Sequence, residues 1–147
     1  MRKKCKLLGM DVVSEVKKLN LPVGKYAVVG SGAMAVRNIR PAHDIDLIVT
    51  QDIYKYLKAS GWKEVHFPGT LQPWVLFKDL FDVSTSWSVG DYHPKPSELM
   101  ANTDIIDGVA FVSLEDLLKW KKTCRRDKDL ADIKLIEAYL KRTEAKP

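Results

Sequence analysis

The sequence predicts a mixed α/β (α+β) domain with helices interleaved among strands, and three observations carry that prediction. Short β-branched runs such as KYAVV, DIDLIV and WVLF alternate with segments of helical period. Asp107-Gly108 separates TDII from VAFV, a strong short-range hairpin signal. Near the C-terminus, DKDLADIKLIEAYLKR repeats its apolar residues at helical spacing.

In chain order, DVVSEVKKLN (11–20) sets Val12, Val13, Val16 and Leu19 on one helical stripe with Asp11 as N-cap, and Pro22 and Gly24 break it. KYAVVG (25–30) is a strand ending in a glycine turn. SGAMAVRNIR (31–40) reads as a short helix stopped by Pro41, because the residue before proline disfavours the α region. DIDLIV is the next strand. QDIYKYLKAS (51–60) is a helix with Ile53, Tyr56 and Leu57 inward and Gly61 at its end. WKEVHF alternates as a strand, and WVLFKD and LFDVSTS are two more strands or a hairpin. Residues 87–103 are loop-rich, with a turn of helix around Ser97–Ala101. Ser113 and Asp116 resemble a capping box opening LEDLLKWKK. In the final helix Leu130, Ile133, Leu135, Ile136 and Leu140 are the apolar positions.

A chain of 147 residues is read as one domain, 1–147, long enough to bury a core without disulfides or structural metal. Cys5 and Cys124 stand far apart with no CxxC or Cys/His cluster, which indicates two reduced thiols rather than a zinc site or disulfide framework. The basic start MRKKCKLLGMD has too short an apolar stretch for a signal peptide, and no run approaches the ~20 apolar residues of a membrane span, so a cytoplasmic location with no membrane contact is expected. The formal net charge of +5 fits a phosphate-bearing ligand and is too small to establish nucleic-acid binding.

The chemistry concentrates in residues 29–49. A glycine at a strand end lets a ligand approach the backbone, and a helix beginning at Ser31 would aim N–H groups and a hydroxyl at a phosphate. Gly30-Ser31 alone is equally what a plain tight turn requires. In HDIDLIV, Asp44 and Asp46 share one strand face with Cα atoms roughly 6–7 Å apart. The apolar run that follows marks the strand as central, where two carboxylates need a cation, and Mg²⁺ with oxygen ligands suits them. Asp82, between Phe81 and Val83, is a candidate third carboxylate on a neighbouring strand. By itself it reads as readily as a hairpin surface position, and Asp79 competes, although Lys78-Asp79 looks more like a turn.

Other candidates have plainer readings. His43 would point away from the aspartates, and His66 and His93 lack ligand spacing. Arg37, Arg40 and the run Arg125, Arg126, Lys128 are solvated cations by default; Arg37 and Arg40 could instead reach phosphates from the short helix, the run could bind phosphate or the acceptor, and Arg40 and Lys128 are taken as the nucleotide-binding candidates. Trp62, Trp74, Trp87 and Trp120 read as core residues, and Trp87 follows the Asp82 strand closely enough to line an acceptor pocket.

GSGAMAVRNIRPAHDIDLIV resembles the signature of the DNA polymerase β-like nucleotidyltransferase superfamily: an apolar strand, Gly-Ser, a short helix, then apolar-flanked Asp-x-Asp. Val29, Gly30 and Ser31 match its first half, Asp44, Ile45, Asp46 and Leu47 its second, and Phe81-Asp82-Val83 the more variable third strand. RRDKDLADIKLIEAYL looks like a C-terminal element of small, antibiotic-modifying-type members, so the resemblance spans about residues 25 to 141. It implies the nucleotidyltransferase fold, a mixed β-sheet flanked by helices with C-terminal helices. It also implies Mg²⁺ or Mn²⁺ on Asp44, Asp46 and Asp82, and an NTP whose β and γ phosphates lie over Gly30 and Ser31. An acceptor hydroxyl would take the nucleoside monophosphate and pyrophosphate would leave. The acceptor is left open between RNA, a small molecule and a protein. A homodimer or partner chain would complete acceptor recognition in so small a domain. The alternative is a non-catalytic nucleotide- or partner-binding module, such as a toxin–antitoxin component; three retained carboxylates favour the enzyme.

Overall fold

The computed structural model describes residues 10–144. Cys5 and the basic N-terminal start lie outside the described residues. Asp11 caps the first helix, α1 (Val12–Lys17), by accepting from the Ser14 amide at 3.2 Å, and Val12, Val13 and Val16 are its buried stripe. The apolar run 26–29 forms β1 (Tyr26–Val29), buried throughout. It turns through Gly30 into α2 (Ser31–Ala35), which has only five residues. The expected helix to residue 40 stops early because Asn38 takes a left-handed φ of 59°. Next come β2 (Ile45–Val49) and α3 (Gln51–Ala59). On α3 it is Tyr54 that turns inward with Ile53 and Leu57, while Tyr56 is 61% exposed, so the inward stripe is offset from the one expected. Tyr54 goes inward because its hydroxyl finds Glu64 at 2.7 Å.

β3 (Lys63–His66), β4 (Trp74–Lys78) and β5 (Phe81–Ser84) follow as two antiparallel hairpins. Asp79 sits in the β4–β5 turn with φ 53°, as the Lys-Asp signal suggested. The short helix α4 (Pro96–Ala101) precedes β6 (Asp104–Ile106) and β7 (Val109–Phe111), which pair antiparallel across Asp107 (φ 50°) and Gly108 (φ 83°), the positive φ values a tight hairpin needs. Ser113 then caps α5 (Leu114–Cys124) by accepting from Asp116, and Arg125 in a left-handed conformation ends it before α6 (Asp127–Glu144).

The seven strands form one mixed sheet in the order β3-β4-β5-β2-β1-β7-β6, with β2 parallel to β5 and β1 parallel to β7. Register decides what each face carries. Leu76, Val83, Leu47, Val28 and Phe111 are aligned cross-strand neighbours, and all are buried. On that face α2 comes so close that a Cβ on Gly32 would lie 2.8 Å from a Val28 methyl, which is why a glycine stands there. The opposite face carries Asp46, Asp82 and Phe77 in one row and Ile48 and Ser84 in another, with Val75 two residues before Phe77 on the same face. The fold is thus the expected mixed sheet with flanking and C-terminal helices. Among the described residues no helix is long and apolar enough to cross a membrane. One further expectation is corrected: Trp74 is 49% exposed and stacks on His66 at 4.0 Å instead of entering the core. Of the apolar positions of α6, Leu130 and Leu135 stay exposed, because the helix turns Asp129, Asp132, Ile133 and Ile136 inward.

Candidate active site

β2 and β5 run parallel with Asp46 directly beside Asp82, and Asp44 stands just ahead of β2. Oxygens of the three carboxylates lie within 4.8 Å of one another. Such a cluster without a cation resists full ionisation. Burial pushes the Asp82 carboxyl up to about 8, helped by its hydrogen bond to Asp46 and the charges of Asp46 and Asp44. Burial also raises Asp46, against the bond from Asp82 and the nearby charges of Lys128 and Lys121. The metal-free pair therefore shares a proton, held on Asp82. The donor set is all hard oxygen, the chemistry that Mg²⁺ or Mn²⁺ selects.

Gly30 holds the neighbouring turn at φ 66° and ψ −142°, a conformation that L side chains avoid. A Cβ there would lie 3.0 Å from Asp46 Oδ2. The glycine thus brings bare backbone against the carboxylate cluster. Because α2 has five residues, its dipole is small, and Ser31 offers chiefly its amide and hydroxyl.

The facing wall comes from α5 and α6 and holds a buried charge network. Lys121, only 4% exposed, reaches Asp132 at 2.9 Å and Asp129 at 3.5 Å. Arg40 clasps Asp132 through Nε at 2.7 Å and Nη2 at 2.9 Å, and donates Nη1 to the Pro41 carbonyl. Arg126 holds Asp129 through Nε at 2.7 Å and Nη2 at 3.1 Å. Burial opposes ionisation of both aspartates, yet these bonds keep both below the usual carboxylate range. The network ties the segment before β2 to both C-terminal helices.

Between the walls lies a cavity of about 790 Å³ lined by Gly30, Ser31, Asp44, Asp46 and Asp82 on one side and Arg40, Lys121, Arg126 and Lys128 on the other. Beyond Asp82 the lining becomes apolar, with Val75, Phe77, Trp87, Trp120 and Leu135. The Trp87 and Trp120 rings stack at 5.4 Å and 9°, and Trp120 Nε1 donates to the Trp87 carbonyl at 3.1 Å.

The structure brings all seven residues singled out from the sequence to this cavity: Gly30, Ser31, Arg40, Asp44, Asp46, Asp82 and Lys128. Asp79 stays in its turn and is no part of the carboxylate cluster. His43 lines the cavity instead of facing away, because Asp44 precedes the regular strand and strict alternation does not yet hold. Arg126 is bound to Asp129 and is not a freely solvated cation. Lys121, Asp129, Asp132 and Trp120 were missed. One signal could have found the acids: Asp129 and Asp132 stand three apart on the stripe that also carries Ile133 and Ile136, where unpaired carboxylates are not tolerated.

No protein-family model matches the chain, and no curated protein matches it in sequence. Its fold does match a solved structure, that of ANT(2")-Ia in complex with adenylyl-2"-tobramycin, with a TM-score of 0.53, 16% sequence identity, and 88% of this chain and 85% of that chain covered. The chain therefore shares the nucleotidyltransferase fold of that neighbour.

Proposed function

We propose that the protein transfers a nucleoside monophosphate from an NTP to an acceptor hydroxyl and releases pyrophosphate. The observation that carries this reading is the placement of Asp44, Asp46 and Asp82 opposite Lys128 and the Arg40–Lys121–Arg126 network across one cavity. Asp44, Asp46 and Asp82 hold Mg²⁺ or Mn²⁺, which when bound neutralises the carboxylates and the triphosphate and stabilises charge developing at the α-phosphate. The Ser31 hydroxyl and the Gly30–Ser31 backbone receive the β and γ phosphates, and Lys128 adds a positive charge from the facing helix. Asp82, beside the apolar part of the cavity, accepts the acceptor's hydroxyl proton. The acceptor oxygen then attacks the α-phosphorus in line, forming the new P–O ester bond as the bond to pyrophosphate breaks. The chain's contribution is positioning and charge placement. The fold neighbour supports this reading, since it holds an adenylylated small molecule.

Calorimetric titration with each NTP, with and without Mg²⁺, tests the site independently of turnover. NTP affinity is expected to rise when Mg²⁺ is present, and equal affinities would refute the assignment. Incubation with each α-labelled NTP and Mg²⁺, alone and with total RNA, then reads transfer itself.

A further inference from the structure

We infer that the acceptor is a neutral or anionic hydroxyl compound with a flat apolar body seated on Phe77 next to Asp82, and not a polycation; this rests on the transfer reading above. The sheet register places the seat. Asp46, Asp82 and Phe77 are successive cross-strand neighbours on one face, so the Phe77 side chain stands one strand spacing from the Asp82 carboxylate, ~4.8 Å along the sheet. Val75 and Ser84, each two residues along its strand from Phe77 and Asp82, lie on the same face and line the same cavity. Phe77 is 36% exposed, and Phe67 meets its ring edge-on at 6.3 Å, which fixes the ring without covering it. A planar apolar body laid on Phe77 would carry a hydroxyl to Asp82, on the side of the cluster away from Gly30 and Ser31.

Charge supplies the second half of the inference. The carboxylates lining the cavity, among the described residues, are Asp44, Asp46, Asp82 and Asp132. Asp132 is taken by Arg40 and Lys121, and the other three form the metal cluster. None is left to receive an ammonium group of an acceptor. Arg40, Lys121 and Arg126 carry one positive charge more than Asp129 and Asp132, which they bond, and Lys128 adds another, so the same space would repel one. A polyamine such as tobramycin, whose adenylyl derivative occupies the fold neighbour, finds no carboxylate partners here. The shared fold thus houses an acceptor region of different charge character.

The test uses calorimetry on the full chain with Mg²⁺ and α,β-methylene-ATP, titrating 4-nitrophenyl β-glucoside as the flat neutral probe and tobramycin as the polycation. The glucoside is expected to bind about ten-fold or more tightly than tobramycin. Phe77→Ser should weaken the glucoside roughly five-fold while leaving nucleotide affinity in place, and Phe77→Tyr should retain it. Tobramycin binding as tightly as the glucoside, or glucoside affinity indifferent to Phe77→Ser, overturns the inference. The two readings fail separately: absence of nucleotide binding refutes the transfer reading, whereas the glucoside-to-tobramycin ratio, measured also without nucleotide, decides the acceptor class.

Discussion

Replacing Asp132 with alanine removes the shared acceptor of Arg40 and Lys121 at the root of the cavity's cationic wall. Arg40, with its side chain 31% exposed, can turn toward water, so its share of the loss is small. Lys121, with its side chain 5% exposed, cannot, and keeps only the 3.5 Å contact to Asp129. Breaking a buried pair from one side costs about 3–5 kcal/mol, and the partial exposure of Arg40 puts Asp132→Ala at the lower end, ~3 kcal/mol. Lys121→Met differs because both aspartates keep their arginines, Asp132 with Arg40 and Asp129 with Arg126, while the methionine fills the aliphatic volume. Its expected cost is ~1 kcal/mol, and the double variant should be less damaged than the sum by roughly 1 kcal/mol or more. Urea unfolding at neutral pH measures all three. Lys128 lies one turn before Asp132 on α6, so Asp132→Ala should also weaken NTP binding. If Asp132→Ala costs less than ~1 kcal/mol, or Lys121→Met costs as much as Asp132→Ala, the network is not holding the wall together.

Three further outcomes are expected. Gly30→Ala should destabilise the protein by about 1–3 kcal/mol from its backbone conformation alone and lower metal and NTP affinity by pressing on Asp46, so wild-type stability and affinity would refute that role for Gly30. Asp46→Asn should abolish transfer while leaving the metal-free protein at least as stable as wild type, because it relieves the repulsion between Asp46 and Asp44; a marked drop in metal-free Tm would make Asp46 a structural residue instead. Asp82, protonated in the folded metal-free state to about pH 8 and ionised near pH 4 when unfolded, favours folding at low pH and loses that contribution as pH rises. With a chelator present, Tm should therefore fall between pH 5 and 8, and Asp82→Asn should flatten the slope.

The carboxylate cluster was legible because its parts are local. Gly30-Ser31 and Asp44-x-Asp46 lie within one strand-turn-helix-strand unit, and a spacing of two residues keeps the two carboxylates close even though Asp44 stands just ahead of the regular strand. Helix caps at Asp11 and Ser113 and the Asp107-Gly108 turn were legible for the same reason, since each is completed within a few residues. Asp82 was only a candidate, because a lone Asp between apolar residues fits a surface hairpin equally well. The parallel pairing of β2 with β5, across a connection holding α3, β3 and β4, is what sets it beside Asp46.

The sequence by itself determined the elements, the turn glycine and the identity of the two leading aspartates, because backbone sterics and side-chain period act over a few residues. Only the tertiary structure decided the rest of the site. Asp132 bonds Arg40 across 92 residues and Lys121 across 11, and no periodicity encodes which cation a buried carboxylate will meet. The charge character of the cavity lining was likewise decided in three dimensions. An aspartate on α6 counts as a free carboxylate in the sequence, and becomes unavailable to a ligand once folding places two cations on it.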